Sequence, residues 1–108
     1  MTVVFEPARP VLVPTADGRQ LPVHRIYCVG RNYAEHAIEM GATGREPPFF
    51  FMKPADAVVP VAAGEVGRIA YPSLTKNLHH EAELVVALSA GGRNIAVADA
   101  ARHIWGYA

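Results

Sequence analysis

Two glutamates separated by one residue are the strongest candidate for chemistry in this sequence. Glu81 and Glu83 stand just before the apolar, valine-containing run 84–88, which predicts a buried strand. Because side chains at i and i+2 of a strand lie on the same face, both carboxylates are expected to point the same way. Oxygen ligands in this arrangement suit Mg²⁺, Mn²⁺ or Ca²⁺ better than zinc. The competing interpretation is a pair of solvent-facing glutamates on an edge strand, since Glu-x-Glu is a common string.

A histidine and a glutamate three residues apart form the second candidate, within a segment that predicts a short helix. The helix is expected over 31–41, with Asn32 as the N-cap and Gly41 as the residue that ends it. On a helix, His36 and Glu39 lie on one face within reach of each other. A glutamate that accepts a hydrogen bond from one imidazole nitrogen leaves the other nitrogen as a general base near neutral pH. The alternative is a surface salt bridge with no catalytic role.

Two cationic residues are candidates for binding an anionic substrate. Arg31 follows Gly30 at the predicted strand-to-helix turn, where its guanidinium is placed to form two hydrogen bonds to a carboxylate. Lys53 lies between a strand of aromatic residues and Pro54. The alternative for Lys53 is a structural side chain whose stem covers the phenylalanines and whose amine reaches water.

Three other residues with reactive side chains are assigned lesser roles. His79 and His80 have no cysteine or third histidine at zinc-site spacing, so they predict packing or solvent contact, with His79 as a neighbour of the carboxylate face. Cys28 lies inside an apolar strand and predicts core packing rather than a nucleophile.

The elements that must position these residues are mostly strands. Prolines predict an extended arm over residues 1–14, and Asp17-Gly18 marks the tip of a hairpin turn. Strands are predicted at 11–13, 21–23, 25–30, 49–53, 68–72 and 84–88, and short helices at 31–41 and 98–104. This order predicts a β-rich α+β fold and not an alternating β-α-β fold.

Composition excludes several classes of protein. The chain has 108 residues, 51% hydrophobic and 19% charged, with a formal net charge of +0. Balanced charge gives no basic surface for nucleic acid or an anionic membrane, so neither is expected as a partner. No apolar run approaches the roughly 20 residues of a membrane span, and the N-terminus lacks a signal-peptide pattern. One cysteine predicts no internal disulfide and a reducing, cytoplasmic location.

Four motifs occur in series over most of the chain. They are Ile26-Tyr-Cys-Val-Gly-Arg-Asn-Tyr-Ala-Glu-His, Pro47-Pro-Phe-Phe-Phe-Met-Lys-Pro, His79-His-Glu-Ala-Glu-Leu-Val-Val and Ile104-Trp-Gly-Tyr. Their order and spacing resemble the fumarylacetoacetate hydrolase family, in particular its bacterial members that cleave acylpyruvates such as fumarylpyruvate. The resemblance covers residues from about 24 to 108. It predicts an N-terminal extended arm and hairpin over 1–22, and the N-terminal portion of the family's catalytic domain over 23–108, with the remainder absent.

The resemblance implies a fold, an assembly and a set of roles. The fold would be the family's mixed β-roll with short flanking helices, usually as a homodimer. Glu81 and Glu83 match two of the family's metal carboxylates, and His36 with Glu39 matches its water-activating dyad. Arg31 and Lys53 fall in motifs near the carboxylate end of the substrate. The third metal carboxylate of the family is an aspartate shortly after the Trp-Gly-Tyr segment, which lies beyond this sequence.

These matches predict a metal-dependent hydrolase that cleaves a C–C bond of an acylpyruvate to give pyruvate and a carboxylic acid. The expected cofactor is Mg²⁺ or Mn²⁺, with Ca²⁺ as a further option. Two rivals within the family are decarboxylation of oxaloacetate and isomerisation of a dienedioate. A rival of another class is a non-catalytic fragment or binding module, and the 108-residue chain by itself is expected to be inactive.

Overall fold

The computed structural model describes residues 1–33, 38–41, 43 and 46–108. Within these ranges the strands are β1 (Val11–Pro14), β2 (Gln20–Val23), β3 (Ile26–Gly30), β4 (Phe49–Lys53), β5 (Val86–Leu88) and β6 (Ile104–Tyr107). They form antiparallel pairs β1–β2, β3–β4 and β5–β6. Two 3₁₀ helices are described from end to end, Ala55–Ala57 and Val97–His103. The prediction of a β-rich chain with short helices is confirmed at this level.

The predicted N-terminal hairpin forms as β1 and β2. Val11 pairs with Val23 and Pro14 with Gln20, and the Thr15 amide donates to the Arg19 carbonyl at 3.0 Å. Glycine is required at Gly18, whose φ of 83° lies in the left-handed region. At the tip, the hydrogen bond from the Arg19 side chain, followed by that from the Thr15 hydroxyl, holds the pKa of Asp17 well below its usual value.

The candidate residues Arg31 and Lys53 lie at opposite ends of the β3–β4 pair. Ile26 pairs with Lys53 and Gly30 with Phe49. Directly opposed residues share a face, so Cys28 and Phe51 lie on the same side as these end pairs. Cys28 is only half-buried and every residue of β4 is exposed, so the prediction that Cys28 packs in a core is corrected to partial burial.

The start of the predicted helix over 31–41 is wrong, because residues 31–33 are described and none of them is helical. Ile38 and Glu39 are helical, and the Gly41 amide donates to the Ile38 carbonyl at 2.9 Å. Gly41 has a φ of 82°, which confirms it as the residue that ends the helix. His36 lies outside the described residues.

The strand predicted at 68–72 is wrong. None of these residues is in a strand, and within the described ranges no segment pairs with them. An extended segment becomes a strand only when a neighbour satisfies its backbone groups, and Pro72 has no amide hydrogen to give.

The predicted buried strand 84–88 is corrected in extent and environment. Strand β5 begins at Val86, although a pair of hydrogen bonds between Val85 and Ala108, at 2.8 and 3.0 Å, extends its pairing with β6 by one residue. Leu84 and Leu88 are 67% and 65% exposed, so the strand is not buried. The apolar run was predicted to be buried because such runs usually lie under a covering layer, which β5 lacks in the described part of the chain.

The β5–β6 pair is closed by a bulge and a helical connection. Ala87 pairs with Gly106 but Leu88 pairs with Ile104, which leaves Trp105 as the extra residue. The predicted helix at 98–104 forms as the 3₁₀ helix Val97–His103, with Asp99 in its first turn. The His103 ring lies 2.8 Å from the Ala90 carbonyl and ties the end of this helix to the start of the connection.

The chain divides into two units, Met1–Ala70 and Tyr71–Ala108. Unit 1 contains β1 to β4 and unit 2 contains β5 and β6. No described residue is fully buried, so neither unit has a closed hydrophobic core. No helix in the described ranges combines the length and hydropathy that crossing a bilayer needs. The mixed β-roll and the boundary between residues 22 and 23 remain predictions.

Candidate active-site residues

Arg31 occupies an unusual backbone position at the end of β3. Its φ is 54°, in the left-handed region that arginine seldom adopts. Its guanidinium carbon lies 5.9 Å from the centroid of the Phe49 ring, within the range of a cation–π contact. The exposed guanidinium of Arg31 rests against an aromatic face, and within the described residues its N–H donors have no hydrogen-bond partner.

Gly30 makes room for that aromatic ring. A Cβ added at Gly30 would overlap Cζ of Phe49, closer than two carbon atoms approach. Gly30 and Phe49 are directly paired across β3–β4, so the ring crosses the strand where the side chain is missing. The Phe49 ring also lies 6.5 Å from the Phe51 ring, centroid to centroid, which flanks it on the same face.

Lys53 lies at the other end of the same ribbon. It pairs with Ile26, four residues from Gly30. At about 3.3 Å per residue this separates the two ends by about 13 Å. Arg31 and Lys53 are therefore not brought together by β3–β4, and Lys53 is exposed.

Glu81 and Glu83 precede the β5–β6 ladder. Both are exposed and neither is in a strand. Within the described residues, neither carboxylate makes a hydrogen bond or an ion pair, so both are available to a cation.

The donor set fits a divalent cation in part. Two carboxylates supply the oxygen donors that Mg²⁺ and Mn²⁺ prefer. The described ranges contain no group of three histidine, cysteine, aspartate or glutamate side chains placed to hold a metal. Glu81 and Glu83 can therefore hold such an ion only with further ligands.

The residues before these glutamates form a loop organised by polar contacts. The Leu78 amide donates to the Tyr71 hydroxyl at 3.1 Å, and the Asn77 amide to Thr75 Oγ1 at 3.1 Å. The His79 Nε2 atom lies 2.7 Å from Asn77 Oδ1, so the ring takes part in this loop. His80 is exposed.

The family model described as fumarylacetoacetate (FAA) hydrolase C-terminal matches residues 25–108. The chain belongs to the fumarylacetoacetate hydrolase family. The resemblance carried by the four sequence motifs is thereby confirmed, and the match begins just before β3.

Solved structures and curated relatives place the chain beside several enzymes of the fumarylacetoacetate hydrolase family. The crystal structure of fumarylpyruvate hydrolase from Pseudomonas aeruginosa, in complex with Mn²⁺ and pyruvate, is 55% identical, with a TM-score of 0.90 over 98% of this chain and 46% of that one. A mitochondrial oxaloacetate tautomerase of Bos taurus is 41% identical over 77% of this chain and 36% of its own length. A mitochondrial oxaloacetate decarboxylase of Dictyostelium discoideum is 37% identical over 77% of this chain and 37% of its own. The chain thus spans less than half the length of each.

Sequence reasoning missed the partners of Arg31 within this family fold. The three phenylalanines of β4 are predicted from sequence only as strand-forming residues, with no individual role for Phe49. The available signal was the pair of motifs themselves, because a glycine just before Arg31 and an aromatic residue at the start of the next strand are brought together when the strands pair antiparallel.

Proposed function

We propose that the protein is a divalent-metal-dependent hydrolase that cleaves a C–C bond of an acylpyruvate of the fumarylpyruvate type. The observation that carries the proposal is the 55% identity, over 98% of the chain, to a fumarylpyruvate hydrolase crystallised with Mn²⁺ and pyruvate. The reaction consumes the acylpyruvate and one water, and it yields pyruvate, a carboxylate and one proton.

In this proposal Glu81 and Glu83 help to hold the cation. A divalent cation held there would supply Lewis-acid polarisation of the substrate and would stabilise negative charge on the departing fragment. The exposed, unpaired state of both carboxylates in the described structure supports the assignment. Mg²⁺ and Mn²⁺ are the proposed ions, with Ca²⁺ as the further option.

His36 and Glu39 are proposed as the dyad that activates water. Glu39 accepts the hydrogen bond from one imidazole nitrogen, and the other nitrogen takes a proton from water. The resulting hydroxide attacks the acyl carbonyl, the C–C bond breaks, and the proton is available to the leaving carbon. The support is the family membership and the position of both residues in the matched range.

Arg31 and Lys53 are proposed to bind the negative groups of the substrate. Arg31 is supported by its exposed guanidinium at a turn with a left-handed φ of 54°. Lys53 lies at the opposite end of β3–β4 and so would meet a different part of the substrate from Arg31. A dicarboxylate such as fumarylpyruvate has an anionic group at each end.

We propose that a further metal ligand lies opposite Glu81 or Glu83 on the continuation of β6, and the register of β5–β6 supports this position. The ladder pairs Val86 with Tyr107 and Val85 with Ala108. If both strands continue in this register, the second and fourth residues after Ala108 lie opposite Glu83 and Glu81 respectively. A carboxylate at either position would complete the acidic cluster, as the family's aspartate after Trp-Gly-Tyr implies.

The test is turnover by the complete protein. Purified protein stripped of metal should not cleave fumarylpyruvate, and added Mn²⁺ or Mg²⁺ should restore stoichiometric formation of pyruvate and fumarate. Absence of pyruvate at every metal concentration, from a folded protein that binds Mn²⁺, would rule out the proposal.

A second candidate is action on oxaloacetate, as a tautomerase or decarboxylase. The identities of 41% and 37% to enzymes with these names favour it. Oxaloacetate has the same pyruvoyl group as fumarylpyruvate but lacks the acyl group that hydrolysis releases. Tautomerisation converts one isomer of oxaloacetate into another and releases no fragment. Decarboxylation of oxaloacetate releases CO₂, and hydrolysis of fumarylpyruvate releases a carboxylic acid. Product analysis with oxaloacetate and with fumarylpyruvate therefore separates the three reactions.

Assembly and location are proposed from the family and the composition. A homodimer is the proposed assembly, and light scattering on the purified protein tests it. We propose a cytoplasmic location from the single cysteine. The relatives from Bos taurus and Dictyostelium discoideum are named as mitochondrial. Fractionation of cells distinguishes the two locations.

A further inference from the structure

We propose that Gly30 and Phe49 are positioning residues that hold Arg31 in the orientation that binds an anion. The inference rests on the proposed function, in which Arg31 binds a carboxylate of the substrate. The three residues meet at one end of β3–β4, where the ring of Phe49 lies across Gly30 and reaches the Arg31 guanidinium.

The glycine determines where the ring can lie. A Cβ at position 30 would overlap three atoms of the ring, Cζ, Cε2 and Cε1. These are the far atoms of an otherwise half-exposed side chain, so the ring can swing away without moving the backbone. Glycine is therefore needed at position 30 to leave space for the Phe49 ring, and not to allow a particular backbone conformation.

The ring determines where the guanidinium can lie. An arginine at a surface has many rotamers, and binding an anion requires one of them. Contact with an aromatic face, 5.9 Å from the ring centroid, restricts the guanidinium while leaving its edge free for a carboxylate. The Arg31 backbone is left-handed, with a φ of 54°, and its side chain contacts Phe49 of β4.

Replacing the ring tests the contact directly. In the complete protein, Phe49→Leu keeps an apolar side chain and removes the aromatic face. Since exposed cation–π contacts are modest, we expect the KM for fumarylpyruvate and the Kd for pyruvate to rise about twofold to fivefold, with kcat unchanged. Phe49→Tyr keeps the face and should restore wild-type KM. Phe50→Leu, on the other side of β4, is the matched control and should change neither constant.

Two double-mutant cycles separate positioning from a general loss of stability. Gly30→Ala should raise KM by the same factor as Phe49→Leu, because each substitution removes the Phe49 ring from its place. The double variant should therefore raise KM by no more than either single variant. In an Arg31→Ala background, Phe49→Leu should have no further effect on KM. Additive effects in either cycle, or a fall in kcat and thermal stability with unchanged KM, would overturn the inference.

Failure of the positioning role can be distinguished from failure of the proposed function. Wild-type protein that does not cleave fumarylpyruvate would remove the proposed activity. Wild-type protein that cleaves it with a KM insensitive to Phe49→Leu and Gly30→Ala would leave the activity intact and remove the positioning role.

Discussion

Glu81 and Glu83 are the residues on which the metal assignment depends. Both are exposed, and within the described residues neither has a protein partner. Carboxylates that bind a cation from solution are expected to be accessible in this way. Metal binding distinguishes these two glutamates from solvated ones. Glu65 carries the same charge and is also exposed.

Glu81→Gln or Glu83→Gln in the complete protein should weaken Mn²⁺ binding by at least about tenfold, because residues that only support a ligand already contribute about 10–100-fold. Isothermal titration of the metal-free protein measures this. Glu65→Gln removes the same charge from the turn at residues 62–65 and should leave the affinity unchanged. Equal Mn²⁺ affinity in all three variants and wild type would refute the ligand assignment.

His36 is the residue to which the proposed mechanism assigns the proton transfer. His36→Ala should lower kcat by about 10²–10⁴-fold, the usual contribution of a general base, and leave Mn²⁺ affinity intact. Steady-state kinetics and the same titration give both quantities. His24→Ala, in the exposed link between β2 and β3, is the control. Wild-type kcat in His36→Ala would mean that another group activates the water.

At the scale of elements, the β1–β2 turn is a self-contained electrostatic unit. Asp17 accepts hydrogen bonds from Arg19 Nε at 2.8 Å and from the Thr15 hydroxyl at 2.5 Å. Both favour the ionised carboxylate and so lower its pKa. Because the pKa is lower in the folded turn than in the unfolded chain, the contribution to stability is present above the usual value of 3.8 and is lost as the pH falls below it.

An NMR pH titration should therefore show Asp17 titrating with a pKa below 3.8, and Arg19→Gln should return its pKa toward that value. Arg9→Gln removes a positive charge from the extended arm and should leave the titration of Asp17 unchanged. A titration of Asp17 at its usual pKa in wild type would show that the turn does not persist in solution.

The other elements are two-stranded ribbons, and their exposure follows from that. A two-stranded pair in isolation is marginally stable in water and needs a further strand or a helix against its face. Every residue of β4 is exposed, including its three phenylalanines, and the three residues of β5 are at most half-buried. Apolar runs of this kind belong in a sheet covered on both sides.

At the scale of the whole molecule, no side chain among the described residues is fully buried. Large apolar side chains are among the exposed ones, with Leu74 at 99% and Val97 at 94%. The solved relative, of which this chain covers 46%, has more than twice its length with which to cover such surfaces.

The 108-residue polypeptide expressed by itself should therefore melt without a sharp transition and bind a hydrophobic dye such as ANS. A chain extended to the length of the Pseudomonas aeruginosa relative should melt cooperatively and bind little dye. Calorimetry and dye fluorescence on both proteins provide the comparison. A sharp calorimetric transition in the shorter polypeptide would show that it has a core of its own.

The sequence by itself determined the local elements and the family. Turn residues at 15–19 and the glycine at 41 specify conformations through contacts that are close along the chain, and the structure confirms them. The motifs around Arg31, Lys53, Glu81 and Tyr107 were sufficient to identify the fumarylacetoacetate hydrolase family, which the family match confirms. Roles within the site stay predictions, since they depend on a metal, a substrate and ligands from elsewhere.

Tertiary pairing decided what local patterns do not encode. Residues 68–72 have strand-forming side chains but no partner among the described residues, so they form no strand, while 104–107 form one because Val85 to Leu88 lie alongside. Burial of 84–88 failed as a prediction because burial is a property of the covering layer and not of the run itself. The contact of Phe49 with Gly30 and Arg31 likewise exists only because antiparallel register brings position 49 opposite position 30.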